Sequence, residues 1–376
     1  MLIKFFPLTD IEFVSVKIEN FILPINLNVR KLDLTIYQIN MIMIVNLSCY
    51  MKYNKVLITG GLGFLGYHCV ERWLEDDCEI TVVDNLSSNA VNKDNLIYDQ
   101  VSVIEDNILN LDVKDFSKFD IILHLASPVG PVGVLKHSGT MGKTIIDTTQ
   151  WAIDVSRKNK MPLIYISTSE IYGYREQKTK LKETDDKILH GDFTVRNEYS
   201  ISKLLAEIII KNNSKIDKDF KFQIIRPFNV TGKYQLPDGG FVLPRFVNQA
   251  LNDEDITVYY DGSQLRAFTW VKDIVEGIYL TTKASEEYWN EIWNIGNENN
   301  EKSIKYLAEK VIGYTKSNSK IVSVDPVEIH GELFAEAPEK IPDSTKIRSF
   351  LNWEPKKSAD EVVLEVVNYF EGITNK

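Results

Sequence analysis

The sequence predicts an α/β fold: a doubly wound parallel sheet followed by a smaller C-terminal α/β lobe. Two observations predict this fold. Short apolar runs alternate with amphipathic stretches from residue 55 to residue 225, and strands that alternate with helices build a parallel sheet. The first apolar run also stops at a group of glycines, within residues 60–66, where a helix would begin.

The predicted elements follow one another from Lys55 onwards. Before residue 230 we predict strands over 56–58, 79–83, 101–104, 120–125, 163–167 and 222–225, with helices over 64–74, 144–156 and 198–211. After residue 230 the pattern changes to helices over 241–251, 273–283 and 303–314, separated by short strands over 256–260 and 293–297. We therefore expect an N-terminal extension over 1–50, a Rossmann domain over 51–229 and a substrate-binding lobe over 230–376, partly interleaved with the last sheet strands.

The glycine-rich turn has the features of a dinucleotide site. Gly61, Gly63 and Gly66 lack a Cβ, so the backbone can approach a pyrophosphate, and the next helix supplies free N–H groups at its N-terminus. The second strand ends at Asp84, where a carboxylate reaches ribose hydroxyls. No Arg or Lys follows over 85–89 to receive a 2′-phosphate. The cofactor predicted from these residues is NAD rather than NADP.

Composition excludes several classes of partner. The net charge is −10 and no basic block stands out, so nucleic acid is not an expected partner. Three cysteines without a CxxC spacing and five scattered histidines indicate no metal site, and the cysteines favour a reducing compartment, the cytoplasm.

The first 50 residues do not belong to the α/β pattern. Residues 34–51 are uncharged and rich in Ile and Met, but polar residues interrupt them and no basic region precedes a cleavage site. We expect neither a membrane span nor a signal peptide. Our hypothesis is a mis-assigned start or a lineage-specific appendage, with membrane anchoring as the minor alternative.

A second motif, Tyr199-Ser-Ile-Ser-Lys203, places a phenol and an ammonium on one face of a helix. We expect Lys203 to lower the pKa of the phenol from about 10 toward neutrality. The phenolate could then take a proton from a sugar hydroxyl while the carbon gives hydride to NAD. Thr168, at the end of the strand over 163–167, can donate a hydrogen bond to the same oxygen.

At these residues the chain resembles the NAD-dependent epimerase/dehydratase family, the extended short-chain dehydrogenase/reductases that act on nucleotide sugars. The resemblance runs from Lys55 to the C-terminus and rests on motifs in family order: TGGLGFLG, VVDN, the Glu105-Asp106 strand end, HLA, STSEIYG, YSISK, RPFNVTG, DGSQLRAFTWVKD and WNIGN.

The resemblance implies roles for particular residues. The implied NAD contacts, besides Tyr199 and Lys203, are Gly60, Gly63, Phe64, Leu65, Gly66, Asp84, Asn85, Asp106, Leu125 and Ala126. The implied contacts to a nucleotide sugar, UDP-linked in our prediction, are Asn229 for the sugar diphosphate, Phe241 and Val242 for the base, Arg266 for the pyrophosphate, and Tyr260. The resemblance also implies a homodimer, in which the helices over 144–156 and 198–211 pair across a two-fold axis.

Members of this family share oxidation of the sugar at C4 and differ in the step that follows. The Ser-Thr-Ser-Glu run at 167–170, the segment 126–128 and the loop 237–242 resemble UDP-glucuronate decarboxylases, whereas residues 231–234 lack that group's Tyr-Gly-Pro-Arg sequence. In this reading Glu170 is catalytic with Thr168, Tyr199 and Lys203, and we expect burial to raise its pKa so that it serves as a base.

Three alternatives stay open from the sequence. A 4-epimerase needs only Thr168, Tyr199 and Lys203, and a 4,6-dehydratase commonly has an Asp-Glu pair where this chain has Ser169-Glu170. A non-catalytic NAD-binding sensor is the alternative from a different class.

Overall fold

A computed structural model describes residues 13–18, 21–26, 53–88, 90–91, 95–175, 179–189, 191, 193–337 and 339–374. The chain divides into two units after Met51. In the first unit, strands β1 (Phe13–Ile18) and β2 (Phe21–Asn26) pair as an antiparallel hairpin. The rest of the predicted extension over 1–50 lies outside the described residues.

The second unit contains all the remaining described elements. Its strands are β3 (Lys55–Thr59), β4 (Glu79–Asp84), β5 (Ser102–Glu105), β6 (Ile121–His124), β7 (Leu163–Ile166), β8 (Lys180–Leu181), β9 (Phe222–Pro227), β10 (Val230–Thr231), β11 (Ile256–Tyr259), β12 (Leu265–Ala267), β13 (Thr269–Trp270), β14 (Glu291–Ile295), β15 (Glu301–Ser303), β16 (Ile321–Val324) and β17 (Ile341–Pro342).

The α-helices of this unit are α1 (Phe64–Leu74), α2 (Pro131–Lys136), α3 (Met141–Asn159), α4 (Val195–Ile216), α5 (Val242–Leu251), α6 (Val271–Thr282), α7 (Ile304–Thr315), α8 (Pro326–His330), α9 (Thr345–Leu351) and α10 (Ala359–Thr374). Short 3₁₀ turns lie at Leu96–Asp99, Ile108–Asn110, Val113–Phe116, Ser169–Tyr172, Pro237–Gly239, Glu286–Tyr288 and Glu298–Asn300. Among the described residues, no helix is both long enough and apolar enough to cross a membrane.

Seven parallel strands form the central sheet, in the order β14-β9-β7-β6-β3-β4-β5. The chain builds outward from β3 through β4 to β5, and then crosses to β6 on the other side of β3. Such a reversal opens a crevice at the carboxyl ends of the two neighbouring strands, where ligands of doubly wound sheets bind. The predicted Rossmann-type α/β fold is therefore confirmed.

Both faces of the sheet are covered by helices, because its strands are apolar on both sides. Val56 and Ile58 face a core that includes α1 and α6, whereas Leu57, between them, faces α3 and α4. A third core joins α5, α7, α10 and β11. The edge strand β14 comes from beyond residue 230, so the C-terminal part of the chain contributes directly to the sheet.

Helix α4 begins earlier than the sequence pattern predicts, at Val195 instead of Glu198. The reason is a cap at Thr194, whose backbone N–H donates to Oδ1 of Asn197 at 2.7 Å. The added first turn places Arg196 in the helix, three residues before Tyr199 and therefore on the same side. The strand β16 and the helices α8, α9 and α10 were not predicted as elements.

A buried ion pair fastens α4 to the sheet. Arg226 of β9 donates from Nε and Nη2 to the two carboxylate oxygens of Glu207 in α4, at 2.9 and 2.6 Å. Both side chains are 2% exposed. Ser167, which directly follows β7, donates to Oε1 of Glu207 at 2.5 Å, and Arg226 Nη1 donates to the hydroxyl of Tyr172 at 2.8 Å. The network holds the end of β7 against α4.

Removal of the Glu207 carboxylate should therefore destabilise the protein strongly. We expect Glu207→Ala to lower the free energy of unfolding by about 3 to 5 kcal/mol, because the Arg226 charge would stay buried without a partner. Asp217→Ala is the matched control, since Asp217 pairs with Arg157 at 2.9 Å on the partly exposed surface beyond the same helix, where water screens an ion pair and its loss costs little. Denaturant unfolding of both variants checks this, and equal losses would contradict it.

Candidate active site

The glycine-rich turn between β3 and α1 is held tightly against the sheet. Gly60 has a φ of +70°, and a Cβ there would lie 2.7 Å from the backbone nitrogen of Ala126. At Gly66 a Cβ would lie 2.0 Å from the carbonyl oxygen of Gly60. Gly63 is the N-cap of α1, and no side chain caps that helix end. The first-turn N–H groups, at Phe64, Leu65 and Gly66, are therefore available to an anion.

The residues predicted to hold the adenosine half surround this turn at the ends of neighbouring strands. Asp84 is buried and accepts hydrogen bonds from the backbone N–H groups of Leu62, at 3.0 Å, and Leu86, at 2.9 Å. Asn85, next along the chain, is exposed. Asp106 follows β5, which pairs with β4, and its Oδ1 accepts from the backbone N–H of Asn107 and from Nδ2 of Asn110 at 2.7 Å each.

Leu125 and Ala126 complete the predicted cofactor contacts on the other side of the turn. The backbone N–H of Leu125 donates to the carbonyl of Thr59 at 3.0 Å, and that of Ala126 donates to Oγ1 of Thr59 at 3.3 Å. The carboxyl ends of β3 and β6 are thus tied together at the crevice. A turn with no room for a Cβ at Gly60 or Gly66, an uncapped helix and a buried strand-end carboxylate fit a dinucleotide.

Thr168, Tyr199 and Lys203 lie together at the end of β7, as predicted. Thr168 lies close enough to the Tyr199 phenol to influence its pKa, and the Thr168 Oγ1 accepts from the backbone N–H of Glu170 at 3.1 Å. Lys203 is buried and its Nζ donates to the carbonyl of Ile166 at 2.8 Å. The arrangement places the Thr168 hydroxyl beside the Tyr199 phenol, with the Lys203 amine directed to the strand that precedes Thr168.

The expected lowering of the Tyr199 pKa by Lys203 is wrong for this structure. Burial raises the pKa of the Tyr199 phenol, and the negative charge of Glu170 raises it further, whereas the hydrogen bond from Thr168 and the charge of Arg196 act in the opposite direction. Burial also lowers the pKa of Lys203, to about 7. The Lys203 ammonium points to a backbone carbonyl, and the low-polarity surroundings outweigh its influence on the phenol.

Glu170 lies beside these residues, but its environment differs from our expectation. Arg196 donates from Nη2 to its Oε1 at 2.6 Å, and both side chains are largely buried. Burial alone would raise the pKa of Glu170, but the charges of Arg196, Lys340 and Arg266 outweigh burial and lower it. The predicted raised pKa is therefore wrong, and Glu170 is a carboxylate at neutral pH.

Lys340 is a buried cation of the same cluster. It is 3% exposed and stands directly before β17. Within the described part of the chain its Nζ forms no hydrogen bond and no ion pair. Burial lowers the pKa of Lys340 to about 8, and the nearby charges of Arg196 and Arg266 lower it too, whereas Glu170 and Glu336 raise it. An ammonium in such a place lacks the partner that buried charges normally have.

Arg266, predicted to contact the pyrophosphate, lies on β12 and is 7% exposed. Its Nη2 donates to Oε1 of Glu336 at 2.5 Å and to the carbonyl of Ala337 at 2.8 Å. Its Nη1 donates to the carbonyl of Leu265 at 2.8 Å. The cluster therefore contains two ion pairs, Glu170–Arg196 and Glu336–Arg266, together with Lys340.

The remaining predicted substrate residues lie on other elements of the fold. Asn229, at a φ of +40°, donates from Nδ2 to the carbonyl of Ala267 at 3.4 Å. Phe241 caps α5, which begins at Val242, and its ring packs so closely on Gly130 that a Cβ there would lie 2.7 Å away. Tyr260 is 48% exposed with a φ of +54° and contributes its carbonyl to Ser323.

Sequence reasoning missed Arg196, Lys340 and Glu336. Arg196 had a signal, since it precedes Tyr199 by one helical turn and a cation there reaches the same surface. Lys340 and Glu336 had none, because they lie in a stretch without a helix or strand period, between two short elements. In the part of the chain that the structure describes, no three His, Cys, Asp or Glu side chains are placed to hold a metal ion.

Comparisons with known proteins identify the family of this chain. Residues 56–296 match the model of the NAD dependent epimerase/dehydratase family. A UDP-N-acetyl-alpha-D-glucosaminuronate decarboxylase of Bacillus cytotoxicus is 32% identical over 326 residues, which cover 85% of this chain and 99% of that protein. UDP-glucuronic acid decarboxylase 1 of Xenopus tropicalis is 27% identical over 320 residues, which cover 84% of this chain and 72% of that protein.

A solved structure shares the fold. The UDP-glucose 4-epimerase of Thermotoga maritima, crystallised with UDP-glucose, superposes with a TM-score of 0.74 at 26% identity, covering 85% of this chain and 99% of that one. The family resemblance predicted from the motifs is therefore confirmed. The chain belongs to the NAD-dependent epimerase/dehydratase family and is an enzyme whose cofactor is NAD.

Proposed function

We propose that the protein decarboxylates a UDP-linked uronic acid through a 4-keto intermediate. The observation that carries this proposal is Lys340, whose side chain is 3% exposed and whose Nζ has no ion-pair partner among the described residues. It lies in the same cluster as Glu170 and therefore near Tyr199 and Thr168. A buried charge favours a site that brings its counter-ion, and a uronic acid carries a carboxylate on the carbon next to the sugar ring.

The relatives support the same substrate class. The Bacillus cytotoxicus protein, which this chain matches over nearly its whole length, is named as a decarboxylase of a UDP-linked uronate. The Xenopus tropicalis protein is named as a decarboxylase of UDP-glucuronic acid. A UDP-linked sugar whose hexose carries no carboxylate, such as the UDP-glucose in the structure of the Thermotoga maritima epimerase, would leave Lys340 without a partner.

The NAD would lie on the glycine-rich turn. Its pyrophosphate would meet the first-turn N–H groups of α1 at Phe64 and Leu65, and Asp84 would accept from the ribose hydroxyls of the adenosine half. When bound, NAD accepts the hydrogen and electron pair from C4 of the sugar and later returns them. At the end of β7, Lys203 and Thr168 would hold the reacting groups, the Tyr199 phenol and the C4 hydroxyl of the sugar, in place.

Tyr199 must first release its own proton to solvent, because burial raises its pKa and keeps the phenol neutral. As the phenolate it would accept the proton of the C4 hydroxyl during oxidation and return it at the end. With substrate bound, the single hydroxyl hydrogen of Thr168 would turn to the C4 oxygen and stabilise the charge that develops there. The oxidised sugar is a β-keto acid. Its bond between C5 and the carboxyl carbon breaks, carbon dioxide leaves, and the electron pair moves to the C4 oxygen before C5 takes up a proton.

The charge cluster would orient the carboxylate for this step. Lys340 would pair with it, while Arg196 stays fixed by the Glu170 carboxylate at 2.6 Å. Glu170 acts in this proposal as an anion that orients Arg196, because its lowered pKa leaves it ionised. Arg266 would receive the diphosphate, and Phe241 and Val242 the base, with Asn229 and Tyr260 near the sugar diphosphate.

The reaction is tested by mass spectrometry of products from UDP-, GDP- and dTDP-sugars, UDP-uronates included, with added NAD. We expect a uronate to yield a product lighter by carbon dioxide. Tyr199→Phe should slow the reaction by at least about 100-fold, since the proton acceptor is lost.

A product of unchanged mass and inverted configuration would instead show a 4-epimerase. Loss of water would show a dehydratase. No turnover of any sugar by the wild type would contradict an enzyme of this kind and favour a sensor.

The role of Lys340 predicts a pH dependence. Below about pH 8 the free enzyme carries the charged ammonium, so kcat/KM for the uronate should fall as the pH rises through the Lys340 pKa of about 8. In Lys340→Arg this fall of kcat/KM should begin at a higher pH, because a guanidinium keeps its charge. Lys340→Met should lower kcat/KM by about 10- to 100-fold, as expected for loss of a charged hydrogen bond.

NAD binding to the Lys340 variants is the control, because Lys340 is not among the residues proposed to hold the cofactor. If kcat/KM falls at the same alkaline pH in the wild type and in Lys340→Arg, Lys340 does not pair with the carboxylate of the substrate.

We also propose a homodimer formed through α3 and α4. These helices pack on each other, and α4 exposes three apolar side chains on one face: Ile201, Leu205 and Ile208, at 41, 44 and 46%. Their spacing of four and three residues makes a continuous stripe, which favours an apolar partner such as the same stripe of a second copy.

Leu205→Glu should convert the dimer to a monomer in sedimentation velocity, because it places a charge in the middle of the stripe. Leu364→Glu is the matched control, since Leu364 is 40% exposed on α10. A wild-type protein that sediments as a monomer, or a Leu205→Glu variant that remains a dimer, would contradict this interface.

A further inference from the structure

Arg266 is already held by a carboxylate of its own chain. Both N–H groups of its Nη2 are used, one by Glu336 at 2.5 Å and the other by the carbonyl of Ala337 at 2.8 Å. A diphosphate that binds Arg266 through this nitrogen must take the place of these acceptors. Phosphate and carboxylate oxygens present the same geometry to a guanidinium, so the two anions compete directly.

The segment that carries Glu336 is fastened at both ends. On one side His330 is bonded through Nε2 to the Tyr259 hydroxyl at 2.6 Å, and Phe334 packs edge-on against the Tyr259 ring. On the other side Glu339 accepts from the backbone N–H of Leu265 at 2.9 Å. Strand β17 follows and pairs with β8. The described residues between His330 and β17 form no helix or strand.

Glu336 itself is less confined than the arginine that it holds. Its side chain is 31% exposed, against 8% for Arg266. The carboxylate can therefore turn toward solvent, where water replaces its hydrogen bonds, but the guanidinium cannot. When no substrate is bound, the diphosphate is absent and Arg266 would be a buried charge without a partner. The Glu336 carboxylate supplies that partner.

We propose that Glu336 is an affinity-determining residue: its carboxylate occupies Arg266 until the diphosphate of the substrate displaces it. The inference rests on the proposed role of Arg266 as the diphosphate ligand. Glu336 keeps the guanidinium in position when no substrate is bound. It also weakens substrate binding, because the diphosphate must break an existing ion pair before it forms its own.

The test is isothermal titration of UDP, as the probe, into the full chain with NAD present. Glu336→Gln should bind UDP about three- to tenfold more tightly than wild type, since a neutral amide holds Arg266 more weakly than a carboxylate does. Glu336→Asp, which keeps the charge on a shorter side chain, should lie between the two. Glu332→Gln removes the same charge from an exposed position of the same segment and should match wild type.

Arg266→Gln separates this inference from the proposed function. If it leaves UDP affinity unchanged, Arg266 is not the diphosphate ligand and both assignments fail. If Arg266→Gln weakens UDP binding by roughly tenfold or more, the role of Arg266 as the diphosphate ligand stands. The competing role of Glu336 is then overturned if Glu336→Gln and Glu336→Asp bind UDP as tightly as Glu332→Gln does, or less tightly. Thermal unfolding of each variant shows that the comparison is between folded proteins.

Discussion

The buried ion pair between Glu207 and Arg226 is the constraint on which the rest of the site depends. It joins α4 to β9, and Ser167 adds the end of β7 to the same carboxylate. Lys203 lies one helical turn before Glu207 and reaches the carbonyl of Ile166. Helix and strand are thus fastened at consecutive residues, Ile166 and Ser167. The next residue, Thr168, is therefore held beside Tyr199, and both side chains are kept in position for a substrate.

Burial dominates the electrostatics of this site. It raises the pKa of the Tyr199 phenol and lowers the pKa of Lys203 and Lys340, because each neutral form is favoured away from water. Glu170 is the exception, since three surrounding cations outweigh its burial. One small volume therefore contains a neutral phenol, an ionised carboxylate and amines that titrate near neutral pH. Perturbed groups of this kind concentrate at active sites, where protons are exchanged.

Much of the fold could be predicted because it depends on local patterns. The apolar run at β3 and the glycines after it dictate a strand, a turn and a helix end, and α1 has the predicted limits. The start of α4 was misjudged, since a cap formed by Thr194 and Asn197 extends the helix beyond its amphipathic part. The short elements between β16 and α10 gave too little periodicity to be recognised.

The sequence by itself determined the cofactor turn and the Tyr199–Lys203 pair, because the conformation of a glycine turn and the spacing of four residues on a helix are properties of neighbouring residues. Only the tertiary structure decided the charge state of Glu170 and the partners of Arg266. Those depend on Arg196, Lys340 and Glu336, which come from α4 and the segment before β17. Coulomb interactions act between groups that are close in space, and no periodicity along the chain records them.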